Sequence, residues 1–338
     1  MKSYIEASSI PIFKLGGVSV PRVILGCQPF LGQSYQGPER NREYAARFSK
    51  IGNTLRVLVK ASGEHGVTAV GVVPESEGRL ATLLLKAIKK VMEILDVEIG
   101  VTPSLRLRLT VASKPIDDYR RWLSYFHYES KLAGKSLLGK YLDDPILKCR
   151  EGWSERFEHA VKHSKPYSKE EINELNLDLE NLKSRLECFQ SFKVLFIEPG
   201  SECDFLAMED RMDLLTRLVC FLKKEGFNSI VLGIHHAGSS IPILDSSDIK
   251  IDGYLTPVNK IGALMLPTKE LALKAIKNSE KPIIAIKTMA GGRIPPREAL
   301  EYVFGDVGVE ACMIGVGSEQ EADEDLPIAK EIIRKYFK

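Results

Sequence analysis

Apolar and polar positions along this chain alternate between two periods. Short runs of apolar or alternating residues are followed by stretches in which apolar positions recur every three or four residues. The first pattern reads as strand and the second as helix. A small hairpin, IFKLGGVSVPRVIL, comes first with Gly16-Gly17 as its turn. Its second arm leads into a first barrel strand, Val23 to Gly26, ending at Cys27-Gln28-Pro29-Phe30. Helix one covers Asn41 to Glu64. Strand two, Thr68 to Val73, is closed by Pro74-Glu75-Ser76, and helix two is Arg79 to Leu95. Strand three has two candidates, Glu98 to Thr102 and Leu105 to Val111, the second alternating strictly with Arg106 and Arg108 on its other face. Strand four is Lys193 to Glu198. Strand five is SIVLGI, ending at His235-His236, and strand six is DGYLTPV, ending at Asn259-Lys260.

The C-terminal stretch holds two more strand-to-helix units. Lys281 to Ala290 is rich in isoleucine and is followed by Gly291-Gly292-Arg293, then Pro295 and Pro296 at the start of the helical stretch REALEYVF. Ala311 to Val316 ends in Gly317-Ser318-Glu319-Gln320 and feeds a final amphipathic helix through Tyr336. Strands alternating with helices of this length imply parallel pairing and right-handed crossovers. The chain therefore reads as one α/β domain over 1–338, a (β/α)8 TIM barrel with an N-terminal β-hairpin, whose function is to be sought at the C-terminal ends of its strands.

Residues 115–190 exceed what one crossover needs. Ser168 to Phe189 reads as a helix with Ser168 as N-cap and Glu171 completing a capping box. Before it, 115–167 is a helical insertion between strands three and four, with the aromatic cluster Tyr119, Trp122, Tyr125, Phe126 and Tyr128. A helical pair packed on the barrel, an oligomer contact and a lid over the substrate pocket all fit such a segment. Nucleic-acid binding is opposed by Asp143, Asp144, Glu151, Glu155 and Glu158. Ala133-Gly134-Lys135-Ser136 resembles the end of a nucleotide-binding loop, but Glu129 stands where the first glycine is required.

Composition adds mainly exclusions. With 338 residues, 44% hydrophobic, the chain has ample apolar material for a large core. A net charge of +2 gives no global pull on nucleic acid or acidic membrane. The cysteines at 27, 149, 188, 203, 220 and 312 form no CxxC pair, so neither a disulfide framework nor a structural zinc site is indicated. The N-terminal apolar stretch is broken by Glu6, Pro11 and Lys14. A protein without membrane spans, with reduced thiols in the cytoplasm, is the expectation.

Candidate chemistry gathers at strand ends. Glu75, Glu198, His235, His236 and Lys287 are expected near the barrel mouth, joined by Cys27, Asn259 and Ser318. Glu198 beside the histidine pair has the ligand types of a divalent metal site, but adjacent residues on a strand point to opposite sides, so one of His235 and His236 at most faces the centre. Catalysis or binding without metal, with Glu198, His235 and Lys287 as the catalytic set, and plain polar capping of the barrel are the other readings. Lys287 ends an apolar strand, where a desolvated amine serves as base, imine former or phosphate partner, unless it snorkels to solvent or pairs with Glu198. Cys27 has no indicated partner histidine. The turns Gly291, Gly292, Arg293 and Gly315, Gly317, Ser318 are expected to bind the phosphate of a cofactor or small-molecule substrate: NADPH, a flavin or a sugar phosphate.

FKLGGVSVPRVILGCQPF together with IIAIKTMAGGRIPPREALEYVFGDVGVEACMIGVGSEQEADEDL resembles the aldo/keto reductases. Gly26 to Phe30 and Gln36-Gly37-Pro38-Glu39-Arg40 are similar to a branch of such barrels with no settled activity. The resemblance implies a hairpin plugging the barrel bottom and NADPH phosphates at the last two strand ends. It also implies an Asp, Tyr, Lys and His at the site. The chain departs there: Val72-Val73-Pro74 stands for the Asp, the Tyr is missing, Glu198 replaces the His, and Lys114 serves as the lysine only if strand three is the later candidate. Three functions stay open: a divergent NADP(H)-linked oxidoreductase, a metal- or lysine-dependent lyase, isomerase or hydrolase acting on a phosphorylated small molecule, and a non-catalytic binding barrel.

Overall fold

The computed structural model describes residues 10–337. Glu6, one of the residues that interrupt the N-terminal apolar stretch, lies outside them. The hairpin pairs β1 (Ile12–Leu15) with β2 (Val18–Pro21) in antiparallel register, Ile12 opposite Pro21 and Leu15 opposite Val18. Gly16 (φ 54°) and Gly17 (φ 85°) both occupy the left-handed region that a tight hairpin turn demands.

Eight strands follow the sequence expectation of a parallel barrel. β3 (Val23–Leu25), β4 (Ala69–Val72) and β5 (Gly100–Leu105) come first. β6 (Leu109–Val111), β7 (Lys114–Pro115) and β8 (Leu175–Leu177) then leave the barrel to form a small antiparallel sheet. β9 (Glu198–Pro199), β10 (Val231–Gly233), β11 (Gly253–Pro257), β12 (Ile283–Ile286) and β13 (Ala311–Ile314) complete the ring. Neighbours pair in the order β10-β11-β12-β13-β3-β4-β5-β9, and a parallel bridge between Ile197 and Ile230 joins the two ends. The hairpin residues Phe13, Leu15 and Val20 pack with Ile24, Phe196, Val231, Leu255 and Ile284 from the barrel interior, and so plug the end opposite the strand C-termini.

One open choice is resolved and two expectations are corrected. Strand three is the earlier candidate, running on past Thr102 to Leu105, with Ala69 to Val72 opposite Gly100 to Pro103. The strict alternation over Leu105 to Val111 marks instead a half-exposed antiparallel sheet; barrel strands are covered on both faces and do not alternate. Helix one divides into Pro38–Phe48 and Ile51–Val59, because Lys50 is extended (φ −106°, ψ 114°). Ser168 to Phe189 is not one helix. Ser168 and Glu171 form the expected capping box on Lys169–Asn173, but Leu175–Leu177 then pairs with β6 before Leu179–Leu186 resumes under Asp178. Asn173, Asn176 and Asp178 offer the backbone local alternatives to helical bonds, while Leu175 and Leu177 share one buried face.

The insertion between β5 and β9 packs helices Asp118–Ala133, Leu137–Asp143 and Trp153–His163 over one side of the barrel mouth. Its aromatic residues form the contact, with Trp122 edge-on to Trp153 (4.8 Å between ring centres) and Trp153 stacked on Phe157 (5.0 Å). A fully buried carboxylate, Glu129, fastens it to the barrel by accepting from Ser239 Oγ (2.9 Å) and Tyr141 and by meeting His236 Nδ1 (2.9 Å). Gly134–Ser136 is a single turn between two insertion helices, with no strand before it. No described helix is long and apolar enough to cross a membrane.

Candidate active site

A cavity of about 990 Å³ opens at the strand C-termini, ample for a ligand of several polar groups. Cys27, Thr102, Glu198, His235, Lys287 and Thr288 contribute to its wall from five different strand ends, and the insertion adds Asp118, Arg121 and Arg150. Lys287, the one lysine in that wall among the described residues, sits just past β12 in a left-handed conformation (φ 55°), which a lysine adopts only when its surroundings fix it. Its Nζ lies 3.4 Å from His235 Nε2 and 4.9 Å from the ring centre of Tyr35, itself left-handed at φ 58°. Burial lowers the lysine to about 8, against the opposing pull of Glu198. Burial and the neighbouring ammonium hold His235 well below the usual imidazole range, so the ring is neutral and its Nε2 accepts from Lys287.

Glu198 follows β10 closely because Gly233 has no side chain: a Cβ there would lie 2.0 Å from Glu198 Oε1. Burial pushes this carboxyl up to about 8, with Ser104 and Lys287 opposing. Lysine and carboxyl thus change protonation in the same pH range. Cys27, buried beside Glu198, is driven up to about 12 and is a thiol at neutral pH. Asp204, fully buried in the helix after β9, accepts from the backbone N–H of His235 (2.8 Å) and His236 (3.3 Å) and from Ser240 Oγ (2.6 Å), and so orients the histidine pair. The pair divides as the strand geometry requires: His235 lines the cavity and His236 is turned into the insertion.

The glycine loops are arranged differently. Gly291 (φ 69°) and Gly292 (φ 78°) make the turn, and a Cβ on Gly291 would lie 2.7 Å from Tyr35 O. The Arg293 fork donates to Tyr35 O (2.8 Å), Ala290 O (2.7 Å) and Pro145 O (3.1 Å), bolting this loop to the first loop and the insertion. At the next loop Gly315 packs on Pro29 and Gly317 on the Tyr44 ring. The Gly317 N–H donates to Glu321 Oε2 (2.6 Å), and Ser318 Oγ accepts from Glu321 N (3.0 Å), so Glu319–Tyr336 carries its own anion at its N-terminus.

Two solved structures from Pseudomonas aeruginosa, both provisionally described as aldo-keto reductases, are similar to this chain, with TM-scores of 0.53 and 0.56 at 13% sequence identity. Each comparison covers 98% of this chain and 100% of the other. The fold is that of the aldo-keto reductases. The sequence itself matches no protein-family model and no curated protein.

On this aldo-keto reductase fold the reductase residues have no counterparts where the resemblance placed them. β4 ends at Val72, and the acid in the cavity wall on that side is Glu77, held by Arg185. β5 brings Thr102 and Ser104 rather than a lysine, because Lys114 lies in exposed β7. Glu198 holds the histidine position at the end of strand four. Glu75 is exposed on a turn and Asn259 is buried in its own loop, its amide bonded both ways to Ala263 (2.8 Å each); neither lines the cavity. Ser318 serves as helix cap. Glu198 and His235 gain no third His, Cys, Asp or Glu at metal-ligand spacing; among the described residues such a group occurs only at Glu64, His65 and Asp323, where Lys60 already bridges the two acids (2.7 and 3.1 Å).

Sequence reading passed over several groups in the wall. Gln28 Oε1, Thr102 Oγ1 and Thr288 Oγ1 are buried there without a hydrogen-bond partner, which is uncommon and marks polar atoms awaiting a ligand. Tyr35, Arg121 and Arg150 come from the first loop and the insertion, where no periodicity signals direction. The aromatic cluster of the insertion was the available signal for Arg150, which stacks on it.

Proposed function

We propose that this protein is an enzyme acting on small carbonyl compounds, with Lys287 as the amine that condenses with the carbonyl carbon and Glu198 as the carboxyl that carries the proton. The supporting observation is the placement of Lys287 in a concave wall: strained backbone, neutral His235 as acceptor and an amine lowered to about 8, which leaves a nucleophilic fraction near neutral pH. Among the described residues it makes no ion pair with a carboxylate, and its one hydrogen-bond partner is His235 Nε2 at 3.4 Å, so no anion holds it as an ammonium. In the condensation the nitrogen attacks the carbonyl carbon and passes one of its two protons to the oxygen to give the carbinolamine, and Glu198 in its acid form protonates the departing hydroxyl. The nitrogen proton then returns to the carboxylate, the net change being amine plus carbonyl to imine plus water. The unpartnered Thr102 and Thr288 hydroxyls supply hydrogen bonds to substrate oxygens.

The fold favours a second reading, an NADP(H)-linked oxidoreductase in which Glu198 is the acid. The loops after β12 and β13 do not fit the cofactor phosphate as they stand, since the Arg293 fork and the Gly317 N–H are both engaged within the chain. Borohydride reduction in the presence of aldehydes and ketones, followed by peptide mass analysis, tests the first reading: a stable adduct on Lys287 that is lost in Lys287→Arg. No adduct with any carbonyl, together with saturable NADPH fluorescence, transfers the assignment to the second.

A further inference from the structure

Three arginines and two carboxylates of the insertion and β5–β9 region form a ladder along the cavity wall. Arg121 is buried and paired through both terminal nitrogens, donating to Glu202 Oε1 (2.9 Å) and Asp118 Oδ1 (2.5 Å), while its Nε has no partner among the described residues. Glu202 also accepts from Leu107 N (3.1 Å) and approaches Arg106 Nε at 4.0 Å. Arg150 differs. Its planar guanidinium stands over Trp122 (4.9 Å) and Trp153 (5.3 Å), which fix its direction. Its nearest carboxylate oxygen, Asp118 Oδ2, is 3.9 Å away, and no described residue accepts a hydrogen bond from it. Its side chain is 44% exposed and faces the cavity. A fork held in position by aromatic faces and lacking an acceptor is the arrangement that takes a planar or tetrahedral anion.

We propose that Arg150 is the anchor for an anionic group of the substrate, a carboxylate or a phosphate, so that the compound condensing at Lys287 is an acidic aldehyde or ketone. This rests on the carbonyl reading of the same cavity. It moves the anion site from the glycine loops to the insertion, which thereby becomes a specificity element. Arg150, Tyr35, His235 and Lys287 line the same cavity, and Tyr35 ties the two sides together: its ring centre lies 4.9 Å from Lys287 Nζ and its carbonyl accepts from the thiol of Cys149, the neighbour of Arg150, at 3.1 Å. One small molecule therefore reaches both. The two positive groups also separate the roles: the guanidinium stays charged and holds, while the amine loses its proton and reacts.

Calorimetric titration of the full-length protein with inorganic phosphate and with propanoate, neither of which forms an imine, tests the anchor apart from the chemistry. The expected result is binding of one or both, weakened about 10- to 100-fold in Arg150→Met, the scale of a hydrogen bond to a charged group. Arg150→Lys, which keeps the charge and loses the fork, is expected to fall between. Preference for phosphate or for propanoate identifies the headgroup. In the borohydride assay pyruvate or glycolaldehyde phosphate should be trapped about 10-fold or more faster than propanal, an advantage lost in Arg150→Met. Unchanged affinity for both anions in a folded Arg150→Met, or binding of neither by the wild type, overturns the anchor. If the titrations behave as expected but no carbonyl is trapped, the anchor stands and the imine reading falls.

Discussion

At the loops after β12 and β13 the expected donors already have acceptors within the chain, whereas around Lys287 the polar groups outnumber their partners. The Gly317 N–H has Glu321, and the Arg293 fork has three carbonyls. On the other wall Gln28, Thr102 and Thr288 present atoms with none, and the Arg150 guanidinium donates no hydrogen bond to a described residue, its nearest carboxylate oxygen being 3.9 Å away on Asp118. Glycines, a helix start and an arginine are therefore a signal of anion binding only until the chain's own carboxylates are counted. Local sequence shows which donors exist; whether they are free depends on residues that the fold brings from elsewhere.

The sharpest way to break this contrast is to remove the reactive group. Lys287→Met should abolish borohydride trapping, a loss of at least ~100-fold against wild type, while the melting temperature at pH 7 stays the same or rises because a desolvated charge is gone. Retained trapping would place the chemistry elsewhere. Next in size is Gly233→Ala, which forces a methyl into the space of Glu198 Oε1, 2.0 Å away. Displacing that buried carboxyl should cost about 1–3 kcal/mol in denaturant melts and reduce trapping even though Lys287 is untouched.

Glu198 also carries the larger pH effect. Its carboxyl ionises near 4.5 when unfolded and near 8 in the fold, so the folded state binds the extra proton and stability falls as pH rises between those values. Glu198→Gln should flatten that decline, a gain on the order of a few kcal/mol at pH 8 and none below pH 4, at about 1.4 kcal/mol per unit. Lys287 has the opposite sign above pH 8: its amine is already neutral while the unfolded chain still binds a proton up to 10.5, and stability recovers. Trapping that needs both the neutral amine and the protonated carboxyl should peak near pH 8.

The barrel was legible because eight short apolar runs alternate with amphipathic helices, and because Gly16-Gly17 names its own turn. Helices Arg79–Leu95 and the last one, ending at Tyr336, fall where periodicity put them. Strand three was not decidable: Glu98 to Thr102 and Leu105 to Val111 are equally strand-like locally, and only pairing with Ala69 to Val72 separates them. The cavity positions of Glu198, His235 and Lys287 followed from strand ends. The partners of Arg293, Gly317 and Asn259 did not, since each is satisfied by a loop whose conformation no periodic pattern records. Arg150 and Tyr35 escaped for the same reason.

Glu321→Ala sharpens the comparison from the other side. It frees the Gly317 N–H and removes an acid from the cavity wall, so phosphate binding at this loop should appear or strengthen, at a stability loss of ~0.5–2 kcal/mol for the lost cap. Calorimetry with phosphate in an Arg150→Met background isolates this loop from the insertion. No gain would mean that backbone donors and the helix end do not suffice there without a free arginine.

The smallest effect concerns Asp325, one turn farther along the same helix. Burial, with Glu321 and Glu324 adding repulsion, raises its carboxyl from 3.8 to about 7. The fold therefore holds a proton that the unfolded chain has lost, and stability falls as pH rises from 3.8 to 7. Asp325→Asn keeps the shape and removes the ionisation, so it should stabilise by ~1–3 kcal/mol at pH 8 and by nothing at pH 3.5. Combined with Glu321→Ala its gain should shrink, because part of the raised value comes from that neighbour. Denaturant melts of the two single variants and the double variant at both pH values measure this. A gain that is independent of pH would show that the carboxyl is not held protonated, and that the acidic end of the cavity wall is as well solvated as an ordinary surface.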